Sequence, residues 1–498
     1  MKILPALPIL LPMATALVLS LLRDSQQRSH GVALGGAVMH LALSIILLTT
    51  VLKYEVAVLW VGNWPAPFGI CLAADYLSAA MVLITAVIHT AVIAYARHDI
   101  DPGQVRTGFY AFMQMLTAAV CGAFLTGDLF NLYVWFEVML MASFGLLVMG
   151  HSPGRLTGGV KYVTINLVST LFFITAIGLI YGLTGTLNMA DLHVKVAGVE
   201  NTALLNAAAM LLMIAFGIKA ALFPLFFWLP AAYHTLPVSV SAFFAGMLSK
   251  VGVYSLIRMF TLVFAAETGS AHAPLLVVSA LTMLSGVIGA ASQMEMRRIL
   301  SFHIISQVGY MVLGLALFTP LALAGAIVYL IHHIIVKANL FLVSGLVRQA
   351  GGTFSLKTIG GLYKTNGLLA LCFIIPAFAL AGFPPLSGFW AKLLIIKASL
   401  DSQQYTIAIL SAAVGLLTVF SMIKIWSEAF WKPASTEHQG SSANCPLSPW
   451  MLAPVLILAL VTVLLGLFME PVIRFSVLAA GQLMDPQVYI KAVMGGRP

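Results

Sequence analysis

The sequence predicts an all-α polytopic membrane protein with about fourteen transmembrane helices, two of them broken, and a duplicated, inverted unit of five helices. Three observations carry that prediction. Hydrophobic residues make up 61% of the 498 positions and Asp, Glu, Lys and Arg together only 8%, whereas a soluble surface needs roughly a quarter charged. The mean hydropathy is +1.02, and apolar runs of about 20 residues, the length that spans a bilayer, recur along the whole chain. Two of these runs carry Pro and Gly at mid-depth. The composition excludes a water-soluble enzyme. A net charge of +9 on such a chain is read as loop charge flanking a membrane, with no nucleic-acid partner. Cys71, Cys121, Cys372 and Cys445 have no paired spacing, which argues against a disulfide framework or a metal knuckle.

Taken in order, the apolar runs place helices at Ile3 to Leu22, Gly31 to Leu52, Tyr76 to Ala96, Phe109 to Thr126, Leu129 to Met149, Tyr162 to Leu183 and Ala203 to Leu229. The second half adds Val238 to Phe264, Ala273 to Ser292, Ile299 to Leu317, Leu321 to Val347, Leu368 to Ser399, Thr406 to Phe430 and Met451 to Met469. The connections at Thr126 to Leu129 and Leu317 to Leu321 are the shortest, and merging either would reverse the C-terminus. The first run has a basic start at Lys2 but no small-residue cleavage site before Arg23, so it reads as a retained span.

Loop charge sets the orientation. Loops after odd-numbered helices hold Arg23, Arg28, Arg97, Arg106, Arg155, Lys161, Arg297, Arg298, Arg348, Lys357, Lys364 and Lys432. The other side holds Lys2, Lys53, Lys195, Arg258, Lys397, Arg474, Lys491 and Arg497. The excess on the odd loops puts them in the cytoplasm and both termini outside.

The remaining basic residues, Lys219, Lys250, Lys337, Lys392 and Lys424, fall inside spans, as does the acid Glu137. Each costs about 3 kcal/mol at a helix centre, on the order of 18 kcal/mol for the six. A structural role alone does not absorb that. Lys424 is followed closely by Trp426 and Glu428 and is the one best placed to snorkel to the interface. Lys219 and Lys392 instead flank the helix interruptions.

Those interruptions read GIKAALFPLFFWLP around Pro224, and AGFPPLSGFWAKLL with Gly382, Pro384, Pro385 and Gly388. Proline removes a backbone donor and clashes with the preceding turn. Such breaks persist at membrane depth only where protein or a wet cavity surrounds them, and paired discontinuous helices point to a transport site. Phe223-Pro224 with Phe227-Trp228 and Phe383-Pro384 with Phe389-Trp390 suggest an internal duplication. Its register stays open, because one lysine precedes its break and the other follows. The expected units are 1–106, a first repeat at 107–266, a second at 267–432, and 433–498. A third polar element, HHIIVK, places His333 and Lys337 on one helical face, where both can titrate near neutrality. The rival reading of His332 and His333 is a metal site, but no Cys, Asp or Glu lies nearby in sequence to complete one.

KAALFPLFFWLP, SAFFAGMLSKVGVY, MRRILSFHIISQVGYM, HIIVKANLFLVSG and GFPPLSGFWAKL, in this order, resemble the antiporter-like family shared by respiratory complex I, membrane-bound hydrogenases and Mrp-type cation/proton antiporters. GNWPAPFGI and FLTGDLFNLYVWFEVMLMAS resemble the D-subunit group of the Mrp (Sha, Mnh, Pha) antiporters most. The resemblance implies functional positions at Glu137, Lys219, Lys250, His333, Lys337 and Lys392, with Glu137 the partner of Lys219. The turn Tyr233 to Pro237 departs from the family's more Pro-rich run and leaves any role of His234 open. The implied activity is proton translocation through these residues, within a multisubunit antiporter for Na+ or another monovalent cation in a bacterial cell membrane. Its partners would be A, B, C, E, F and G-like subunits and membrane lipid. No phosphate-binding loop or haem-type histidine pair marks a cofactor. One deep carboxylate is too few for a cation cage, so cation exchange is expected to need the partner subunits. The competing readings are a proton-pumping arm of a redox complex and a self-sufficient solute carrier.

Overall fold

The computed structural model describes residues 3–23, 25–150, 153–264, 268–433 and 447–495. Lys2, Cys445, Arg497 and the expected boundary at 266–267 lie outside them. Fourteen membrane-crossing elements are present: α1 Leu7–Leu21, α2 Gln26–Tyr54, α3 Tyr76–Asp99, α4 Phe109–Leu125, α5 Leu129–Val148, α6 Pro153–Thr184, α7a Thr202–Ala220 with α7b Trp228–Tyr233, and α8 Val238–Arg258. They continue with α9 Thr268–Ser292, α10 Met296–Leu317, α11 Pro320–Gly351, α12a Gly367–Ala381 with α12b Ser387–Asp401, α13 Tyr405–Trp426 and α14 Pro449–Leu467. Twelve are long and apolar enough to cross a membrane unaided, while α4 and the halves of α12 are shorter.

Both short connections hold. Thr126 is extended and Asp128 caps α5 by accepting from Asn131 N at 2.7 Å. At the other, Phe318 adopts φ 46° and Thr319 caps α11 by accepting from Ala322 N at 3.2 Å, so neither pair of helices merges. Broken α7 is fourth among α4–α8, and broken α12 is fourth among α9–α13. Five is an odd number of crossings, so consecutive units of five lie in opposite orientations.

Three features differ from the sequence-based expectation. α6 begins at Pro153 and α11 runs on to Gly351, so Arg155, Lys161 and Arg348 stand on helix ends rather than in loops. Arg258 is not a loop charge either. It ends α8, buried, with one terminal nitrogen 2.6 Å from Asp75. Finally, the chain contains a hairpin of β1 Ala57–Trp60 paired antiparallel with β2 Cys71–Ala74, and α15 Met469–Met484 and α16 Gln487–Val493 follow α14. Four-residue strands and short amphipathic helices are too brief to stand out among twenty-residue apolar runs. Trp60 Nε1 donates to Val493 O at 2.9 Å and so ties α16 to the hairpin.

α8, α10 and α11 form the centre. Every residue of α8 is buried, and α10 and α11 are nearly as enclosed. A membrane helix that contacts only protein has no lipid face to keep apolar, and these three carry Lys250, His303, His332, His333 and Lys337.

Candidate functional site

The break in α7 begins at Ala221, which takes the left-handed conformation at φ 62°. Lys219 therefore sits in the last turn of α7a, beside the carbonyl end of that half-helix, where a cation is favoured. Its ammonium lies 5.5 Å from the centroid of the Phe136 ring. It makes no hydrogen bond or ion pair among the described residues. Gly252 of α8 lets this end approach, since a Cβ there would meet Ala220 N at 2.6 Å.

Glu137 is not enclosed by this chain, although the sequence places it deep in α5. It is half-buried, and Thr170 Oγ1 donates to its Oε1 at 2.6 Å. The carboxylate acts electrostatically on Lys219 without forming an ion pair within 4.0 Å.

At α12 the cation comes from the other side of the break. Lys392, on α12b, reaches back to donate to Leu380 O at 3.0 Å and Ala381 O at 2.8 Å, the last carbonyls of α12a. Gly382 at φ 93° closes α12a, a backbone state glycine adopts without strain. A cavity of about 370 Å³ lies against Lys392, lined also by Gly382, Phe383, Pro384 and Gly415.

Between the breaks lie Lys250, His333 and Lys337, all fully buried. Lys250 Nζ bonds to Ala245 O, and Lys250 acts electrostatically on both His333 and Lys337. Lys337 Nζ donates to Leu300 O at 3.1 Å and interacts with Lys392 in turn. Both ring nitrogens of His333 are buried without partners. The sequence alone did not single out the residues that link this row to α12. His303 on α10 is fully buried, and neither ring nitrogen has a hydrogen-bond partner among the described residues. His332 Nδ1 lies 2.8 Å from Ser387 Oγ at the start of α12b. Tyr329 donates to Gln307, and its ring stacks on that of Tyr310, over which the Lys392 ammonium lies at 5.7 Å. His303 stands inside MRRILSFHIISQVGYM, and an imidazole in an apolar span is a legible signal.

Lys424 has a structural use. It donates to Ala291 O and Gln293 O, both at 2.7 Å, and so caps the carbonyl end of α9. Two further acids lie within the helix bundle, Asp75 buried and Asp99 half-buried. Asp75 pairs with Arg258, and Asp99 accepts from Ser239 N at 2.8 Å. Both lie at helix ends, away from the row.

Two broken helices, each with a buried lysine beside its break, and the buried Lys250, His333 and Lys337 between them define a transporter-type membrane protein. A family model described as NADH:quinone oxidoreductase/Mrp antiporter, TM matches residues 126–418. The chain is 46% identical over 488 residues to a protein of Alkalihalophilus pseudofirmus named as the D subunit of an Na(+)/H(+) antiporter, covering 98% of both. It is 38% identical, with the same coverage, to the protein of the same name from Bacillus subtilis. Its fold superposes on a chain of the Mrp complex from a Dietzia species with a TM-score of 0.91 at 33% identity, covering 99% of this chain and 100% of that one. The chain belongs to the NADH:quinone oxidoreductase/Mrp antiporter family and, within it, to the group of Mrp D subunits.

Proposed function

We propose that this chain is the proton-translocating membrane subunit of a multisubunit Na+ or other monovalent cation/H+ antiporter, a transporter subunit rather than an enzyme. The observation that carries the proposal is the row Lys219, Lys250, His333, Lys337, Lys392, buried from one helix break to the other. Lys219 is the switch. With Glu137 engaged it stays charged; when that carboxylate is drawn away, its proton passes toward Lys250 and the His333–Lys337 pair and leaves at Lys392, which opens on a cavity. The repeats 107–266 and 267–432 each supply one half-membrane step, with 1–106 and 433–498 flanking them. The odd loops lie in the cytoplasm and both termini outside. The half-burial of Glu137 fits a contact with a neighbouring subunit of A, B, C, E, F or G type, from which cation coupling would come. The test is Lys219→Ala in the assembled complex in membrane vesicles. Cation-dependent proton movement should vanish while subunit content is unchanged, and near-normal exchange would remove the basis of the reading.

A further inference from the structure

A second buried polar seam lies outside the lysine row, between α2, α3 and α4. On α2 the buried face reads His30, Ala33, Ala37, His40 and Ser44, spaced by three and four residues and so on one stripe. On α4 the facing stripe reads Tyr110, Gln114, Thr117 and Cys121, all buried. The two stripes meet at three levels. Tyr110 Oη lies 3.3 Å from His30 Nδ1, Gln114 Nε2 donates to Ala33 O at 3.2 Å, and Cys121 Sγ lies 3.5 Å from His40 Nε2. His40 then meets His89 of α3, with ring centroids 6.0 Å apart. His89 in turn packs edge-on against Phe243 of α8, the helix that carries Lys250.

Five polar atoms along this seam are buried without a partner: His30 Nε2, Gln114 Oε1, His40 Nδ1 and both ring nitrogens of His89. Buried polar groups are nearly always bonded to protein or to ordered water, and each orphan costs stability. Ala33 and Ala37, both fully buried, are the small residues between the two histidines of α2. The seam's outer end is marked by Gln26, whose amide donates to Arg97 O and Ile100 O, and by Arg97 and His98, which act electrostatically on His30. His40 stands fourteen residues into α2, about 21 Å deep at 1.5 Å per residue. The seam therefore starts on the side of the α3–α4 loop and ends at mid-membrane.

We propose that this seam is a second, water-bridged proton path, running from the α3–α4 loop side through His30, Gln114, His40 and His89 to the centre of the membrane beside α8. Each imidazole takes a proton at one ring nitrogen and releases one from the other, so a proton advances with no net change of charge once the ring resets. The seam rests on the proton-translocation reading above, and it adds an entry that ends against Phe243 of α8, the helix that carries Lys250, without passing the break at Lys219.

The test uses vesicles carrying the whole complex. With Cys71, Cys372 and Cys445 changed to Ala, Cys121 is the one thiol left in this chain, and aminoethyl methanethiosulfonate is applied to each side in turn. The expected result is labelling of Cys121 from the α3–α4 loop side and loss of exchange on labelling. His89→Leu should lower the exchange rate about tenfold, less than the full effect of losing a proton-transferring group because water can bypass it. Ala37→Leu, which fills the seam and keeps every histidine, should do the same and decides the case if His89→Leu fails to assemble. Cys121 inert from that side, or full-rate exchange in both variants, overturns the proposal. If the unaltered complex moves no protons in response to cation, the transport reading fails instead, and the labelling still decides whether the seam is wet.

Discussion

The breaks in α7 and α12 solve one electrostatic problem from opposite sides. In α7 the lysine precedes the break, in the last turn of the first half-helix, and its ammonium lies over the Phe136 ring. In α12 the lysine follows the break and reaches back across it to Leu380 O and Ala381 O. Both lysines are tied to the carbonyl end of the first half-helix, Lys219 by its place in the last turn and Lys392 by two hydrogen bonds, and there the partial negative charge of the helix lies. A repeat can thus keep the position of a charge while moving the residue that supplies it. The two differ in what holds them. Lys219 has a carboxylate in reach and no hydrogen bond, so its partner can be withdrawn, whereas Lys392 is fixed by two carbonyls that cannot leave. On this comparison we propose the first as the switch and the second as the exit.

The largest expected effect separates holding a charge from passing a proton at the exit. Lys392→Ala in the assembled complex should cut exchange by about a hundredfold or more, the scale of removing a positioned proton donor. Lys392→Arg can still donate to both carbonyls, but guanidinium does not release its proton, so it should be as slow while assembling normally. An active arginine variant, measured as initial rate of proton movement in vesicles, would make Lys392 a fixed charge and erase the contrast with Lys219.

Next in size is the effect at the switch. An ammonium that loses its neighbouring carboxylate gives up its proton more readily. Glu137→Gln should therefore lose activity first at the alkaline end, with the upper limb of the pH profile moved down by on the order of one unit, a modest shift because Glu137 is half-buried and partly screened. Glu137→Gln combined with Lys219→Met should be no slower than Lys219→Met alone, since coupled sites are not additive. Additive losses with no alkaline shift would mean that the two do not work as a pair.

The glycines that let helices close on the breaks give a third comparison. A Cβ at Gly388 would meet Ala379 O at 1.8 Å and His332 Nε2 at 2.8 Å, whereas one at Gly252 would meet Ala220 N at 2.6 Å. Gly388→Ala must force the halves of α12 apart and should cost about 3 kcal/mol, the upper part of the overpacking range. It should show as a lowered unfolding temperature of the purified complex. Gly252→Ala should lower it less, and an equal or reversed ranking would show that α12 is the more compliant break.

The fold was legible because lipid imposes length and hydropathy on every crossing, and the fourteen runs survive with small shifts at their ends. The two breaks were legible for the same reason, as proline and glycine in an apolar run have few other uses. Glu137 was legible as an acid deep in its span but its half-burial was not, because hydropathy reports depth in the membrane and not which way a helix faces. Arg258 was taken for a loop charge because its partner, Asp75, lies 183 positions earlier. His303, His40 and His89 carry no spacing of their own. Only the packing of α2, α3, α4, α10 and α11 brings them to their neighbours.

The smallest expected effect concerns the turn where the chain departs from the family pattern. His234 Nδ1 lies 2.7 Å from Pro230 O and its Nε2 lies 3.2 Å from Arg298. Burial, outweighing the bond to the Pro230 carbonyl and aided by Arg298 and Arg297, lowers its pKa to about 4. The folded state therefore binds fewer protons here than the unfolded chain, whose histidine titrates near 6.5. The resulting stabilisation is complete above 6.5 and is lost as pH falls through 6.5 toward about 4. Between pH 7 and 9 the ring stays neutral and cannot gate proton entry, although it stands at the mouth of the α7 break. His234→Gln, which can still accept from Arg298, should leave the shape of the pH profile unchanged and the rate within about twofold, the range of a peripheral substitution. The same variant should make the complex less sensitive to acid, retaining more of its neutral-pH unfolding temperature at pH 5. A shifted exchange profile between pH 7 and 9 would instead give His234 a part in conduction at α7 that nothing at α12 matches.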